Sequence, residues 1–217
     1  MNYNNHIVRS ISLVVGMIIC SFAAVLIIRA QIGIPPWEVL HQGISNHTGI
    51  SFGRVSMIVG YTVLALGCLL KIYPGPGTIA NITIFGIFTD IFLQVLPYEA
   101  SSFMMGVIMN VTGAILFGLG GALYLKPKYG GGPRDALLMG LVHKFKIPIR
   151  YVRPVIEAIV LISGLLLGGN FGVGTFISLF LIGLFYDVFF KMLKFDPKKE
   201  KQTNFIDIFK SIKYRNN

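Results

Sequence analysis

Two short motifs place charged and aromatic side chains where they can do chemistry. One is Gly33-Ile-Pro-Pro36-Trp37-Glu38 and the other is Gly130-Gly-Gly-Pro133-Arg134-Asp135. Proline fits the first turn of a helix, where its missing N–H is not needed. A carboxylate in that turn can bond free N–H groups and complements the positive end of the helix dipole. Trp37 can stack on a cationic group. Trp37, Glu38, Arg134 and Asp135 are therefore the candidate substrate-binding residues. A plain cap on a helix lying flat at a membrane surface would use the same residue types.

A second pair of motifs is Gly86-Ile-Phe-Thr-Asp90 and Gly183-Leu-Phe-Tyr-Asp187. Thr78, Ile82, Gly86 and Asp90 recur every four residues and share one helix face. Glycine on such a face lets another helix approach closely. An aspartate at the centre of a membrane span costs about 2.5–3.5 kcal/mol on insertion scales. Asp90 and Asp187 are thus expected to face protein or water, either as structural caps and pairs or in binding and proton coupling. Glu157 is a third intramembrane acid; Arg153, four residues before it, is a natural i, i+4 partner. Gly75-Pro-Gly-Thr78 and Gly172-Val-Gly-Thr175 resemble tight turns with a threonine cap, and no lysine follows as in a phosphate loop. The sequence contains no HExxH, no GxSxG and no zinc-ligand spacing, and His6, His41, His47 and His143 are scattered. No enzymatic activity, metal site or cofactor is expected.

The elements that position these residues follow from hydropathy. Of the 217 residues only 13% are charged and 54% are hydrophobic, and the mean hydropathy is +0.71. A soluble domain needs more charge than this to cover its core. A helix crossing a bilayer needs about 20 mostly apolar residues, and backbone groups in lipid must pair internally. No ~10-residue alternating segments suggest a membrane β-barrel. The first apolar run, 11–28, is 18 residues long, beyond the roughly 7–15 of a signal h-region, and is read as an uncleaved span. Cys20 and Cys68 fall inside apolar spans, where they behave as small hydrophobes.

The sequence also repeats itself. Shifted by 97 residues, positions 14–93 align without a gap on 111–190, with 22 identities in 80 positions. Gly33, Pro36 and Gly43 fall on Gly130, Pro133 and Gly140; Gly75, Gly77 and Thr78 fall on Gly172, Gly174 and Thr175; Gly86 and Asp90 fall on Gly183 and Asp187. A fixed register of Gly, Pro and Asp points to duplication. Each half reads as a long span (11–28; 103–125), a short segment (36–47; 133–144) and two further spans (55–70 and 78–96; 152–167 and 175–193). A 12-residue helix is only about 18 Å long and cannot cross a core of about 30 Å. Each half therefore crosses three times, and the second half enters from the opposite side. Basic residues agree. With the N-terminus inside, 17 of the 19 Lys and Arg lie on the cytoplasmic side and only Arg29 and Arg54 lie outside. The net charge of +10 is mostly this topology signal, so nucleic acid is not an expected partner.

The Pro-Trp-Glu and Gly-Gly-Pro-Arg-Asp motifs, with their spacing, resemble the YczE/YyaS/YitT family of bacterial membrane proteins across about residues 8–195. The resemblance implies a multi-pass protein of the bacterial plasma membrane and names no substrate. The expected fold is thus an all-α membrane protein. Six transmembrane helices form two inverted three-helix repeats, each with a short helix, re-entrant or interfacial, after its first span. Residues 1–97 make the first repeat, 98–195 the second and 196–217 a basic cytoplasmic tail. The expected function is transport of a small molecule or ion, with proton coupling an option and the site where the halves meet. A non-transporting scaffold or accessory subunit is the alternative. The lipid bilayer is the expected partner, and a homo-oligomer is one option for assembly.

Overall fold

A computed structural model describes residues 6–196, 200 and 202–206. The expected tail falls mostly outside the described residues. Among those described, the chain is all-helical: α1 (His6–Arg29), α2 (Pro36–Thr48), α3 (Phe52–Leu69), α4 (Pro76–Val95), α5 (Phe103–Leu125), α6 (Pro133–Phe145), α7 (Ile149–Leu166) and α8 (Val173–Met192). Five of them, α1, α3, α4, α5 and α8, are long and apolar enough to cross a membrane. Helix α7 matches α3 at 18 residues. It carries Arg150, Arg153 and Glu157 in its first half, which is why it is less apolar than its counterpart. The two 13-residue helices begin at Pro36 and Pro133, with proline in the first turn. At 1.5 Å per residue each is about 20 Å long, too short to cross.

Helices α1 and α5 form the central pair, with α4 against α1 and α8 against α5. Glycine permits the close approach. A Cβ on Gly16 would lie 2.6 Å from the Gly120 carbonyl, and one on Gly113 would lie 2.9 Å from the Ala23 carbonyl. These two contacts are the same contact made twice, because 113 and 120 are 97 positions beyond 16 and 23. Other interactions repeat likewise. The Gly77 N–H donates to the Tyr129 carbonyl at 2.8 Å, and the Gly174 N–H donates to the Ile32 carbonyl at 2.7 Å. The Gly75 N–H donates to Thr78 Oγ1 at 3.2 Å, and the Gly172 N–H donates to Thr175 Oγ1 at 3.3 Å. Each half thus reaches into the other through its Gly-x-Gly-Thr turn.

The turns entering the short helices need glycine. Gly33 and Gly130 have φ of 111° and 125°, in the region that side chains rarely adopt. Their missing side chains also leave room for the opposing turn, at Gly172 and Gly75 respectively.

One seam breaks the correspondence. Helix α3 packs on α4 so tightly that a Cβ on Gly53 would lie 2.0 Å from the Gly86 carbonyl, and one on Gly60 would lie 2.9 Å from Ile82. Helix α7 packs on α2 and α6 but makes no comparable contact with α8. Gly183, the counterpart of Gly86, has nothing within 4 Å of its Cβ position. The facing residues differ as well. Gly53, Met57 and Gly60 correspond to Arg150, Pro154 and Glu157, so a closed α7–α8 seam would be wider than the glycine seam of α3 and α4.

Candidate functional site

The two short helices are brought together by their first turns. Arg134 Nη2 of α6 lies 2.9 Å from Glu38 Oε1 of α2. The same guanidinium sits 4.8 Å above the Trp37 ring. Glu38 is 3% exposed and Trp37 8%, whereas about a third of the Arg134 side chain remains accessible. Burying a carboxylate is costly unless it is paired and hydrogen-bonded, so the ion pair is what allows Glu38 to be there. Trp37, Glu38 and Arg134 thus form one cluster at the junction of the halves. Asp135, next to Arg134, is exposed. It feels the charges of both Arg153 and Arg134.

The other sequence candidates lie elsewhere. Asp90 accepts from Ser51 Oγ at 2.6 Å and from the Gly53 N–H at 2.7 Å. It therefore caps the first turn of α3 from α4 and seals the tight seam. Asp187, its counterpart, is exposed, because α7 does not come against α8. Glu157 pairs with Arg153 at 3.0 Å, four residues apart on α7. Among the described residues no three His, Cys, Asp or Glu side chains converge as a metal would require.

His41 is a residue that the sequence reading passed over. It follows Glu38 by three and Trp37 by four, so it shares their helix face. It is 2% exposed and its ring stands edge-on to Phe52, with centroids 5.7 Å apart. Its Nδ1 is buried without a hydrogen-bond partner among the described residues. The spacing of three and four on a polar-faced short helix was the available signal.

Beside the cluster lies a cavity of about 420 Å³, bounded by α2, α3, α6 and α7. Its walls come in counterparts 97 apart: Leu40 with Leu137, Val59 with Ile156, Thr62 with Ile159, and Val63 with Val160. Trp37 completes the lining; its counterpart is the arginine stacked on it.

Comparison with known proteins gives the family. Residues 7–191 match the family described as a family of unknown function, DUF6198. The chain belongs to it. An uncharacterized protein of Haemophilus influenzae is 34% identical over 168 residues, covering 77% of each chain. The uncharacterized membrane protein YczE of Bacillus subtilis is 32% identical over 171 residues, covering 78% of this chain and 79% of its own. YyaS of the same organism is 27% identical over 184 residues, or 83% of this chain and 91% of its own. The expected YczE/YyaS relationship holds, and with it membership in a family of uncharacterised membrane proteins. No solved structure matches the chain.

Proposed function

We propose that this family member is a plasma-membrane transporter of a small molecule or ion. Its six spans, α7 included, form two inverted repeats with both termini in the cytoplasm. The short helices α2 and α6 enter from opposite faces and meet at Glu38 and Arg134, which with Trp37, Asp135 and His41 make the site. Paired half-helices in inverted repeats are a recurrent way to build such sites near the bilayer midplane.

The observation that carries transport rather than scaffolding is the unequal state of two equivalent seams. The α3–α4 seam is sealed, while the α7–α8 seam is parted. A scaffold needs only packed helices. Two halves of one ancestral design, held in different states, are what alternating access requires, because exchanging the two states turns the opening to the other face. The parted seam carries Arg150 on α7 and Asp187 on α8, the counterparts of Gly53 and Asp90. Where Asp90 bonds the Gly53 backbone, closure of α7 onto α8 would bring Asp187 to Arg150.

Crosslinking tests this directly. In a background with Cys20→Ala and Cys68→Ala, Arg150→Cys and Asp187→Cys are joined by a short bifunctional reagent. Met57→Cys, packed against Gly86 in the sealed seam, reports the other side by its reaction with an impermeant thiol reagent. Joining 150 to 187 is expected to expose position 57. If position 57 stays unreactive after efficient crosslinking, exchange between the seams does not occur and the transport reading falls.

A further inference from the structure

The cavity beside Trp37 is shaped for something other than a solute dissolved in water. Its volume of about 420 Å³ lies within the roughly 300–1,000 Å³ common for small-molecule sites. Such sites usually have several placed polar groups; here the lining is aliphatic apart from Trp37 and the Thr62 hydroxyl. That hydroxyl already donates to the Ile58 carbonyl of its own helix at 2.8 Å. The lining therefore offers no free charge and little hydrogen-bonding capacity, so a polar ligand would lose its hydration without replacement.

The walls also give the cavity a direction. Trp37, Val63 and Val160 are buried and form the floor. Thr62 and Ile159 are exposed and form the mouth. The mouth residues are counterparts, each the eleventh of 18 residues in α3 and in α7. Under the inverted arrangement proposed above, an opening framed equally by counterpart residues lies on the axis relating the halves, and hence at the bilayer midplane. At that depth the solvent outside the mouth is lipid hydrocarbon.

We infer that the cavity is a binding site for the aliphatic chain of a membrane lipid, which enters sideways from the bilayer between Thr62 of α3 and Ile159 of α7 and ends against Trp37. This rests on the membrane placement in the preceding reading, and deepens it by making an amphiphile with such a chain the substrate class. The chain would exchange bilayer hydrocarbon for an apolar wall of equal polarity, so binding depends on fit and packing. The Trp37 ring then links the two sites: one part of it lines the chain cavity and Arg134 stacks on it.

Trp37 is the only tryptophan in the chain, so its fluorescence reads this site alone. The full chain is reconstituted in phosphatidylcholine vesicles whose acyl chains are plain, or dibrominated near the headgroup, in mid-chain or near the methyl end. Bromine quenches tryptophan on contact. Although Trp37 is 8% exposed, most of its emission is expected to be lost, and bromines toward the methyl end are expected to quench more than those near the headgroup. Ile159→Phe at the exposed mouth and Val63→Phe with Val160→Phe at the floor should each restore emission; the mouth variant adds no bulk to the core and stays informative if the floor variant misfolds. Emission equal in plain and brominated vesicles overturns the inference. So does quenching that survives both variants, or quenching strongest from bromines near the headgroup. The readout is independent of transport: a quenched Trp37 in a protein whose seams never exchange keeps the chain site and removes the transporter, and the reverse result does the opposite.

Discussion

Trp37 and Arg134 hold the same place in the two halves of the sequence, yet in the folded chain they stack on each other, guanidinium to ring centroid 4.8 Å. One residue type at both positions would set two tryptophans or two arginines against each other. The difference between the halves makes the contact a cation–π pair, and the same arginine neutralises the Glu38 carboxylate beside it. Chemistry at the junction therefore depends on the difference between the halves, and the fold depends on their likeness.

Breaking that junction from one side should be costly. Arg134→Leu leaves a buried carboxylate unpaired and is expected to destabilise the protein by about 3–5 kcal/mol. The partial exposure of Arg134 favours the lower end. Glu38→Leu combined with Arg134→Leu removes both charges and should recover much of the loss. Thermal melting in detergent measures both, and a double variant no better than the single one would show that the pair holds the short helices together by more than charge.

The two aspartates should behave differently although their motifs match. Asp90 accepts two hydrogen bonds at the start of α3, so Asp90→Ala, which removes both acceptors, should lower stability by about 1–2 kcal/mol, as loss of a helix cap does. Asp187 is exposed, and Asp187→Ala should leave the melting temperature unchanged while weakening any reaction that needs the α7–α8 seam to close. Equal destabilisation by both would mean that α8 caps α7 in the predominant state.

Much of this was legible in the sequence. Helix starts at Pro36 and Pro133, the threonine-capped turns, the Arg153–Glu157 pair and the 97-residue register were all readable, because each rests on local chemistry or a repeated spacing. The pairing of Glu38 with Arg134 was not. Both motifs were singled out as one site, but the repeat equates Glu38 with Asp135 and Trp37 with Arg134, and nothing in it says that a residue will pair diagonally. The parted seam was also legible in part. The 97-residue register sets Glu157 against Gly60 and Trp37 against Arg134, both differences in charge, while Arg150 against Gly53 gained its meaning only once Gly53 was seen pressed on Gly86.

That seam makes a prediction about glycine. A side chain at Gly53 would collide with the backbone of α4 at 2.0 Å, and backbone cannot give way as a side chain can. Gly53→Leu should therefore part α3 from α4 and lower the melting temperature sharply. Gly183→Leu, with open space around it, should be tolerated in the state described here. If α7 closes on α8 in a working cycle, however, Gly183→Leu should block the cycle. A folded, stable Gly183→Leu protein with full function would show that this seam stays open throughout.

His41 allows the sharpest separation of structure from function at the junction. Its Nδ1 is buried with no partner among the described residues, and an unsatisfied buried polar atom costs about 1–3 kcal/mol. A residue kept only for packing would gain by losing that nitrogen. His41→Phe preserves the aromatic contact with Phe52 and removes both ring nitrogens. If the imidazole is there for a ligand, the variant should melt no lower than the parent, yet lose any stabilisation by compounds that raise the parent's melting temperature. Glu38→Gln should lose the same response, because the two side chains share one helix face. A variant that melts well below the parent and still responds to the same compounds would make His41 a packing residue, and would remove it from the site while leaving the Glu38–Arg134 pair in place.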